Sequence, residues 1–306
     1  MLNGEKILVT GAAGLIGFGF AEYLSASNEI WSISRFTDPV GRQKLDALGV
    51  RTLAVDLAAP DFTALPRDFT YLVHVAVSLD RESYDNALRV NAEGTGLLLS
   101  HCRKVKAALV MSSLSVYKPH PDPWHRFTEE DALGDSQGAT PTYSVSKIAQ
   151  EAVARYCARE FAIPVTVARM GAAYCVRGGL PVTHLHAILA GEPVRTRWNP
   201  CTYSPIHQDD INEQLESMLA VASTPATVVN WCGDEAVSVQ QWAACAGKFL
   251  GREVEVEVTE VPGASHGTVG DPRRRASITG PCKVAFQEGF ARVVEQSRAP
   301  SASEGV

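Results

Sequence analysis

The sequence predicts an α/β fold of the doubly wound kind, a parallel sheet with helices on both faces, and three observations carry that prediction. Short β-branched runs alternate with helical patterns through the first half of the chain. Consecutive runs are far enough apart for a crossover helix, which parallel neighbours need. A glycine-rich segment sits at the first junction of strand and helix.

The elements follow in order. Lys6 to Thr10, Glu29 to Ser34, Arg51 to Val55, Tyr71 to Ala76, Ala107 to Ser112 and Val165 to Arg169 are apolar runs of strand length and read as buried strands. Between them, Leu15 to Ser25, Pro39 to Leu48, Glu82 to Lys104 and Pro141 to Phe161 read as helices. After Arg169 the pattern breaks into separated pieces. A helix is expected at Thr183 to Ala190, a strand at Thr202 to Ile206, a helix at Asp209 to Val221 and a strand at Thr227 to Trp231. A helix at Ser238 to Phe249, a strand at Glu253 to Val258 and a last helix at Phe286 to Gln296 complete the set. Pro262 to Gly280, rich in Gly, Pro and Arg, reads as a loop. The expected division is a dinucleotide-binding Rossmann-type domain over residues 1–170, a smaller substrate-binding lobe over 171–298 that interleaves with it, and a frayed tail over 299–306.

Bulk properties narrow the function classes. The 306 residues are 45% hydrophobic and 20% charged, enough for a full core and too apolar for disorder. The net charge of -6 is spread along the chain, so nothing favours nucleic acid or an anionic membrane. The seven cysteines form no Cys-x-x-Cys pair and read as reduced packing residues of a cytoplasmic protein. No apolar run reaches the length of a membrane span.

The segment Val9-Thr10-Gly11-Ala12-Ala13-Gly14-Leu15-Ile16-Gly17 suits a dinucleotide. Gly11 would make the tight turn, Gly14 would let backbone approach a pyrophosphate at the helix end, and Gly17 would let helix and strand pack closely. A plain strand-to-helix turn is the alternative. The end of the second strand reads Ser34-Arg35, where an acidic residue would hold the adenosine ribose of NAD. A guanidinium there suits a 2′-phosphate, so NADP is favoured and NAD remains possible. The competing reading leaves Arg35 in solvent and turns Asp38 to the ribose. Asp56-Leu57, after the third strand, suits the adenine amino group.

Tyr143 and Lys147 stand four apart in a helical pattern and share a face, where a nearby ammonium would lower the phenol toward working pH. An incidental helix face gives the same spacing. Ser113 follows the fifth strand, at the sheet edge where ligands gather in such folds. Asn91 sits mid-helix against its propensity, which fits either helix geometry or the ordering of a proton-relay water. His184 and His186 have no third ligand near them, so no metal site is expected.

Together Thr10 to Gly17, Asp56-Leu57, His74-Val75-Ala76, Val90-Asn91, Ser112 to Tyr117, Tyr143 to Lys147 and Ile206 to Ile211 resemble the extended short-chain dehydrogenase/reductase family, also labelled the NAD-dependent epimerase/dehydratase family. The resemblance runs through nearly the whole chain. It implies Tyr143 as general acid/base, Ser113 polarising the reacting oxygen, Lys147 tuning Tyr143, and Asn91 as a fourth member of the catalytic set. It further implies cofactor contacts at Ala13, Leu15, Ile16, Val75, Ala76, Asn91, Tyr143, Lys147 and Met170 beside those already named. Substrate contacts are implied at Ser78, Ser113, Tyr174 and Tyr203, and a homodimer through the helices Glu82 to Lys104 and Pro141 to Phe161.

Departures from the family pattern narrow the reaction. Leu114-Ser115 stands where nucleotide-sugar dehydratases carry Asp-Glu, so dehydration lacks its acid and base. Ala172 and Tyr203 stand where epimerases hold a diphosphate with Asn and Arg, although Arg177, Arg195, Arg197 or Arg273 could substitute or simply face solvent. Lys118 to Thr140 either covers a substrate or merely connects. The expected function is an NADP-preferring oxidoreductase interconverting a hydroxyl and a carbonyl on a small molecule without a nucleotide diphosphate. A sugar-nucleotide epimerase and a non-catalytic dinucleotide sensor are the alternatives.

Overall fold

The computed structural model describes residues 2–134 and 141–298. A seven-stranded sheet runs in the order Arg51–Ala54, Glu29–Ser34, Lys6–Thr10, Tyr71–His74, Ala107–Ser113, Val165–Met170, Thr227–Trp231. Every neighbouring pair is parallel. The reversal of direction lies between the first and fourth strands of the chain, the crevice where doubly wound sheets hold ligands.

Parallel strands covered on both faces read as continuous apolar runs, and here they are buried as such. All seven residues of Ala107–Ser113 and all six of Val165–Met170 are buried. One face packs Phe20, Leu24, Ile211, Leu215 and Trp231, brought by the helices Leu15–Ser25 and Gln208–Ala220 and the last strand. The other packs Leu98, Leu99, Ala154, Cys157 and Ala158 from the helices Gly94–His101 and Pro141–Glu160. A separate cluster around Trp242, Phe286, Phe290 and Leu185 forms the core of the C-terminal elements.

Thr227–Trp231 differs from its expected place in the lobe. It lies in register with Val165–Met170 and closes the main sheet, because its apolar residues are covered by both neighbouring layers. The strand expected over Thr202 to Ile206 is two, Thr202–Tyr203 and Pro205–His207, which enter different sheets. Pro205 has no N–H to continue the first ladder. Pro262 to Gly280 is not all loop, since Gly267–Gly270 is a strand and Arg273–Thr279 a helix. The long helix expected over Glu82 to Lys104 is broken into Tyr84–Leu88, a π-helical turn at Arg89–Glu93, and Gly94–His101.

The segment after Ser113 is woven into the small lobe: Arg126–Phe127 pairs with Gly267–Gly270, which pairs with Thr202–Tyr203. Residues 135–140 of that segment, and the tail 299–306, lie outside the described residues. Among the described residues no helix is long and apolar enough to cross a membrane.

Candidate active site

The glycine-rich turn takes three different shapes of space. Gly11 has φ +67, and a Cβ there would meet the Ala76 Cα at 2.8 Å, so both turn and contact require glycine. At Gly17 a Cβ would lie 2.4 Å from the Gly11 carbonyl oxygen and 2.8 Å from the Ala12 Cα. Gly14 is different, with only the Gly11 oxygen at 3.3 Å. It precedes the helix Leu15–Ser25, whose N-terminus has no side-chain cap and no acidic residue in its first turn. Those N–H groups therefore face open space with the positive end of the helix dipole behind them.

A cavity of ≈ 470 Å³ begins there. Gly11, Gly14, Leu15, Ile16, Gly17, Arg35, Asp56, Leu57, Val75, Ala76 and Ser78 all contribute to its wall. Its size and its uncapped helix end suit a dinucleotide. Ala13, Asn91, Ser113, Tyr143, Lys147 and Met170 are not in that wall. Ala13 is exposed, while Met170 is 6% exposed and pairs in register with Ser113.

Two side chains stand where the sequence expects the adenosine end. Arg35 is exposed in the wall, and no ion pair joins it among the described residues. Asp38, the alternative ribose partner, caps the helix Pro39–Ala47 by accepting the N–H groups of Val40 at 2.9 Å and Gly41 at 3.2 Å. Its carboxylate is used locally. Asp56 accepts the Ala58 N–H at 2.9 Å.

Beyond the cavity, the buried Ser113 ends its strand, accepts the Ser115 N–H at 3.1 Å and hydrogen-bonds the phenol of Tyr143. Burial pushes that phenol up, and the Ser113 bond only partly opposes it. The lowered phenol expected from the sequence is therefore not found. The reason is where the ammonium points: Lys147 Nζ donates to the Met111 carbonyl and to Gln150 Oε1, both at 2.8 Å, and stands 6.0 Å from the Tyr143 ring centre. Burial pushes Lys147 down to about 7, against the pull of Glu151.

Asn91 lies in the π-helical turn, an irregularity common at functional sites. Its side chain is fully engaged. Nδ2 donates to the Ser78 carbonyl at 3.0 Å and to Ser146 Oγ at 2.9 Å, and Oδ1 accepts the Ser78 N–H at 2.7 Å. Asn91 thus clamps the cavity wall at Ser78 to the helix that carries Tyr143 and Lys147.

Sequence reasoning missed the polar layer behind these residues. Ser112 donates to Glu151 at 2.5 Å, and Glu151 receives Arg169 through two bonds of 3.0 and 2.8 Å. Arg169 and Glu151 side chains are each 3% exposed. On the other side His74 lies between Thr10 and Thr95, 2.7 Å from each hydroxyl, and burial holds it neutral, down to about 3. The position of Glu151, four after Lys147 on a face expected to be buried, was an available signal, because a buried carboxylate requires a cation.

One expected substrate contact lies elsewhere than supposed. Tyr174 is 1% exposed, packed against His207 and Phe286, with its hydroxyl 3.4 Å from the Phe286 carbonyl. It serves the core of the lobe and presents nothing to a ligand. Tyr203, half-buried, stacks on Trp242 and receives a hydrogen bond from Cys201, with Arg197 close enough to act on its phenol. The other arginines considered are paired: Arg177 with Glu22, Arg195 with Glu257, Arg273 with Asp271. Leu114 is 1% exposed in the turn after Ser113. Among the described residues no cluster of His, Cys, Asp or Glu has the make-up of a metal site.

Comparison with known proteins gives consistent findings. The model of the NAD dependent epimerase/dehydratase family matches residues 7–193. A curated relative, dTDP-4-dehydro-6-deoxy-D-allose reductase of a Streptomyces species, is 28% identical over 284 residues, covering 83% of this chain and 84% of that protein. Among solved structures, UDP-glucose 4-epimerase of Thermus thermophilus in complex with NAD superposes with TM-score 0.82 at 23% identity, covering 96% of this chain and 99% of that one. The dTDP-glucose 4,6-dehydratase of Streptomyces venezuelae, with NAD and TYD bound, gives 0.81 at 21% identity and coverages of 96% and 97%.

Proposed function

Because the chain belongs to the NAD-dependent epimerase/dehydratase family, it is an NAD(P)-dependent enzyme of the extended short-chain dehydrogenase type, and we propose that it works as an NADP-preferring carbonyl reductase. The observation that carries the direction is the likeness, over 83% of the chain, to a sugar reductase. The Tyr143 phenol, protonated at neutral pH as phenols ordinarily are, stands beside Ser113 as the acid that reduction needs. Reduced nicotinamide, held by the cavity that Gly11, Gly14 and Arg35 help to wall, would supply the hydride for a carbonyl carbon. Ser113 donates to the carbonyl oxygen, and Tyr143 delivers the proton that completes the alcohol. Lys147 then stabilises the phenolate until solvent returns its proton, and its free N–H holds the nicotinamide ribose.

NADP preference rests on Arg35 and on the occupation of Asp38 as a helix cap. For the substrate, the likeness to a dTDP-sugar reductase over 83% of the chain favours a nucleotide-linked keto sugar over the diphosphate-free substrate expected from sequence. Arg197, a cation close to Tyr203, supports this because Tyr203 stands where epimerases carry Arg. We also keep the homodimer, for which exposed Leu97 and Tyr156 on the two expected helices speak, and a cytoplasmic setting, which seven unpaired thiols suit.

The test is titration of the purified enzyme and of Arg35→Ala with NADPH and NADH, followed by turnover on dTDP-4-dehydro-6-deoxy-D-allose. The parent should bind NADPH about 10- to 100-fold tighter than the variant, with NADH little changed, the worth of charge-assisted bonds to one phosphate. Tightly retained NAD, no net reduction, and inversion of a UDP-sugar would instead establish the epimerase reading.

A further inference from the structure

We propose that Gln150 is a positioning residue, which together with the Met111 carbonyl fixes the Lys147 ammonium and ties it through Thr95 to the π-helical turn of Asn91. The proposal rests on the reading of Lys147 given above. Gln150 is wholly buried and lies three residues beyond Lys147 on the helix Pro141–Glu160. An ammonium has only donors, so the amide oxygen must face it, as it does at 2.8 Å. The amide nitrogen is thereby turned to Thr95 Oγ1, at 3.0 Å.

Each further bond in the layer then has one allowed direction. Thr95 spends its hydroxyl proton on the Asn91 carbonyl at 2.6 Å, so its oxygen accepts from both Gln150 and His74. His74 therefore carries its proton on Nε2, and Nδ1 accepts from Thr10. The Thr10 oxygen is left to accept the Ala76 N–H at 3.1 Å, at the residue that packs on Gly11. Each bond along this path from Lys147 to the glycine-rich turn thus has a matched donor and acceptor. A buried network whose directions are all fixed holds its members in one arrangement.

An amide passes a proton poorly, so Gln150 is a strut and not a relay. With two of the three Lys147 N–H groups held, the third has a fixed direction for ribose or phenol. The charged and titratable groups around the ammonium are Tyr143 and Glu151 on its own helix, His74 from the strand Tyr71–His74, and Arg169, which neutralises Glu151. His74 stays neutral and Arg169 stays charged through the neutral range. Gln150 is thus the neutral acceptor that favours the charged form of Lys147.

The experiment compares the full-length enzyme with Gln150→Leu and Gln150→Glu, reading the pH dependence of NADPH dissociation by fluorescence and of kcat/KM. Removing the acceptor should bring the loss of binding and activity at high pH to a lower pH by about one unit, and the carboxylate should move it up by about one. The near-isosteric Gln150→Glu carries the test should the leucine variant not fold. A uniform decrease with the high-pH limb unmoved in the folded variants overturns the proposal. Lys147→Met separates the two readings: full binding and turnover there would remove Lys147 from the site, whereas its inactivity beside unmoved Gln150 variants would refute Gln150 alone.

Discussion

Replacing Glu151 by Gln should destabilise the protein by about 3–5 kcal/mol, the usual cost of removing one partner from a buried ion pair. The carboxylate accepts Ser112 at 2.5 Å and two guanidinium N–H groups of Arg169 at 3.0 and 2.8 Å, with both side chains 3% exposed. The glutamine keeps one acceptor oxygen but turns an NH₂ toward the guanidinium or the serine. Arg169 retains the Tyr117 hydroxyl at 2.9 Å and the Glu129 carbonyl at 3.1 Å, neither of which carries a compensating charge. Over 306 residues, at about 2.1 cal/mol/K of unfolding entropy each, that cost lowers Tm by roughly 5–8 °C. Urea unfolding of Glu151→Gln, Glu151→Met, Arg169→Met and the Glu151→Met/Arg169→Met pair measures it. The double variant should be less damaged than Glu151→Gln, because it buries no lone charge. A loss below about 1 kcal/mol in Glu151→Gln, or strict additivity of the pair, would refute the claim that the ion pair is buried and coupled.

Gly17→Ala should weaken dinucleotide binding by at least about 10-fold and cost about 1–3 kcal/mol, since its Cβ would strike immovable backbone; Gly14→Ala should weaken binding with little loss of stability. Calorimetric titration with NADPH beside a melting curve separates the two. His74 is held to about 3 when folded against 6.5 unfolded, so its contribution to stability is full above pH 6.5 and is lost as pH falls toward 3. His74→Gln should accordingly flatten the fall in unfolding free energy between pH 6 and 4 by about 1.4 kcal/mol per unit, and an unchanged slope would show that His74 protonates in the folded state. Lys147 carries the opposite burden: folded near 7 and unfolded near 10.5, it penalises folding by about 5 kcal/mol below pH 7, a penalty relieved as pH rises to 10.5. Lys147→Met forfeits two accepted bonds but should still leave the protein about 2 kcal/mol more stable at neutral pH while abolishing turnover.

The parallel strands and the glycine turn were legible because each is a local fact. Lys6–Thr10, Glu29–Ser34 and Leu15–Ser25 form over the residues their patterns mark, since burial on both faces makes a strand uniformly apolar. The conformation of Gly11 and the crowding at Gly17 follow from one turn of chain. Thr227–Trp231 was legible as a strand but not as the seventh member of the sheet, because its partner Val165–Met170 lies far back in the chain and periodicity carries no partner. The π-helical turn at Arg89–Glu93 was half legible: Asn91 mid-helix marked an altered helix, whereas its partners Ser78 and Ser146 lie 13 and 55 residues away.

Spacing in sequence named the groups that would meet a ligand and was silent on the groups that hold them. Tyr143 and Lys147 share a helix face whatever surrounds them, whereas the state of their protons depends on residues 74, 95, 111, 150 and 151, gathered by the fold. The sequence expectation of a lowered phenol failed there, because it counted the ammonium as a free charge beside Tyr143. In the structure that ammonium is buried and spent on Met111 and Gln150, while burial raises the half-buried phenol. A site prepared in this way keeps its proton on Tyr143 until a carbonyl and a cofactor arrive, and the free third N–H of Lys147 is the one bond that a ribose can complete. The buried amide of Gln150 therefore belongs to the chemistry as much as to the packing, since it decides which of the three ammonium protons is left over.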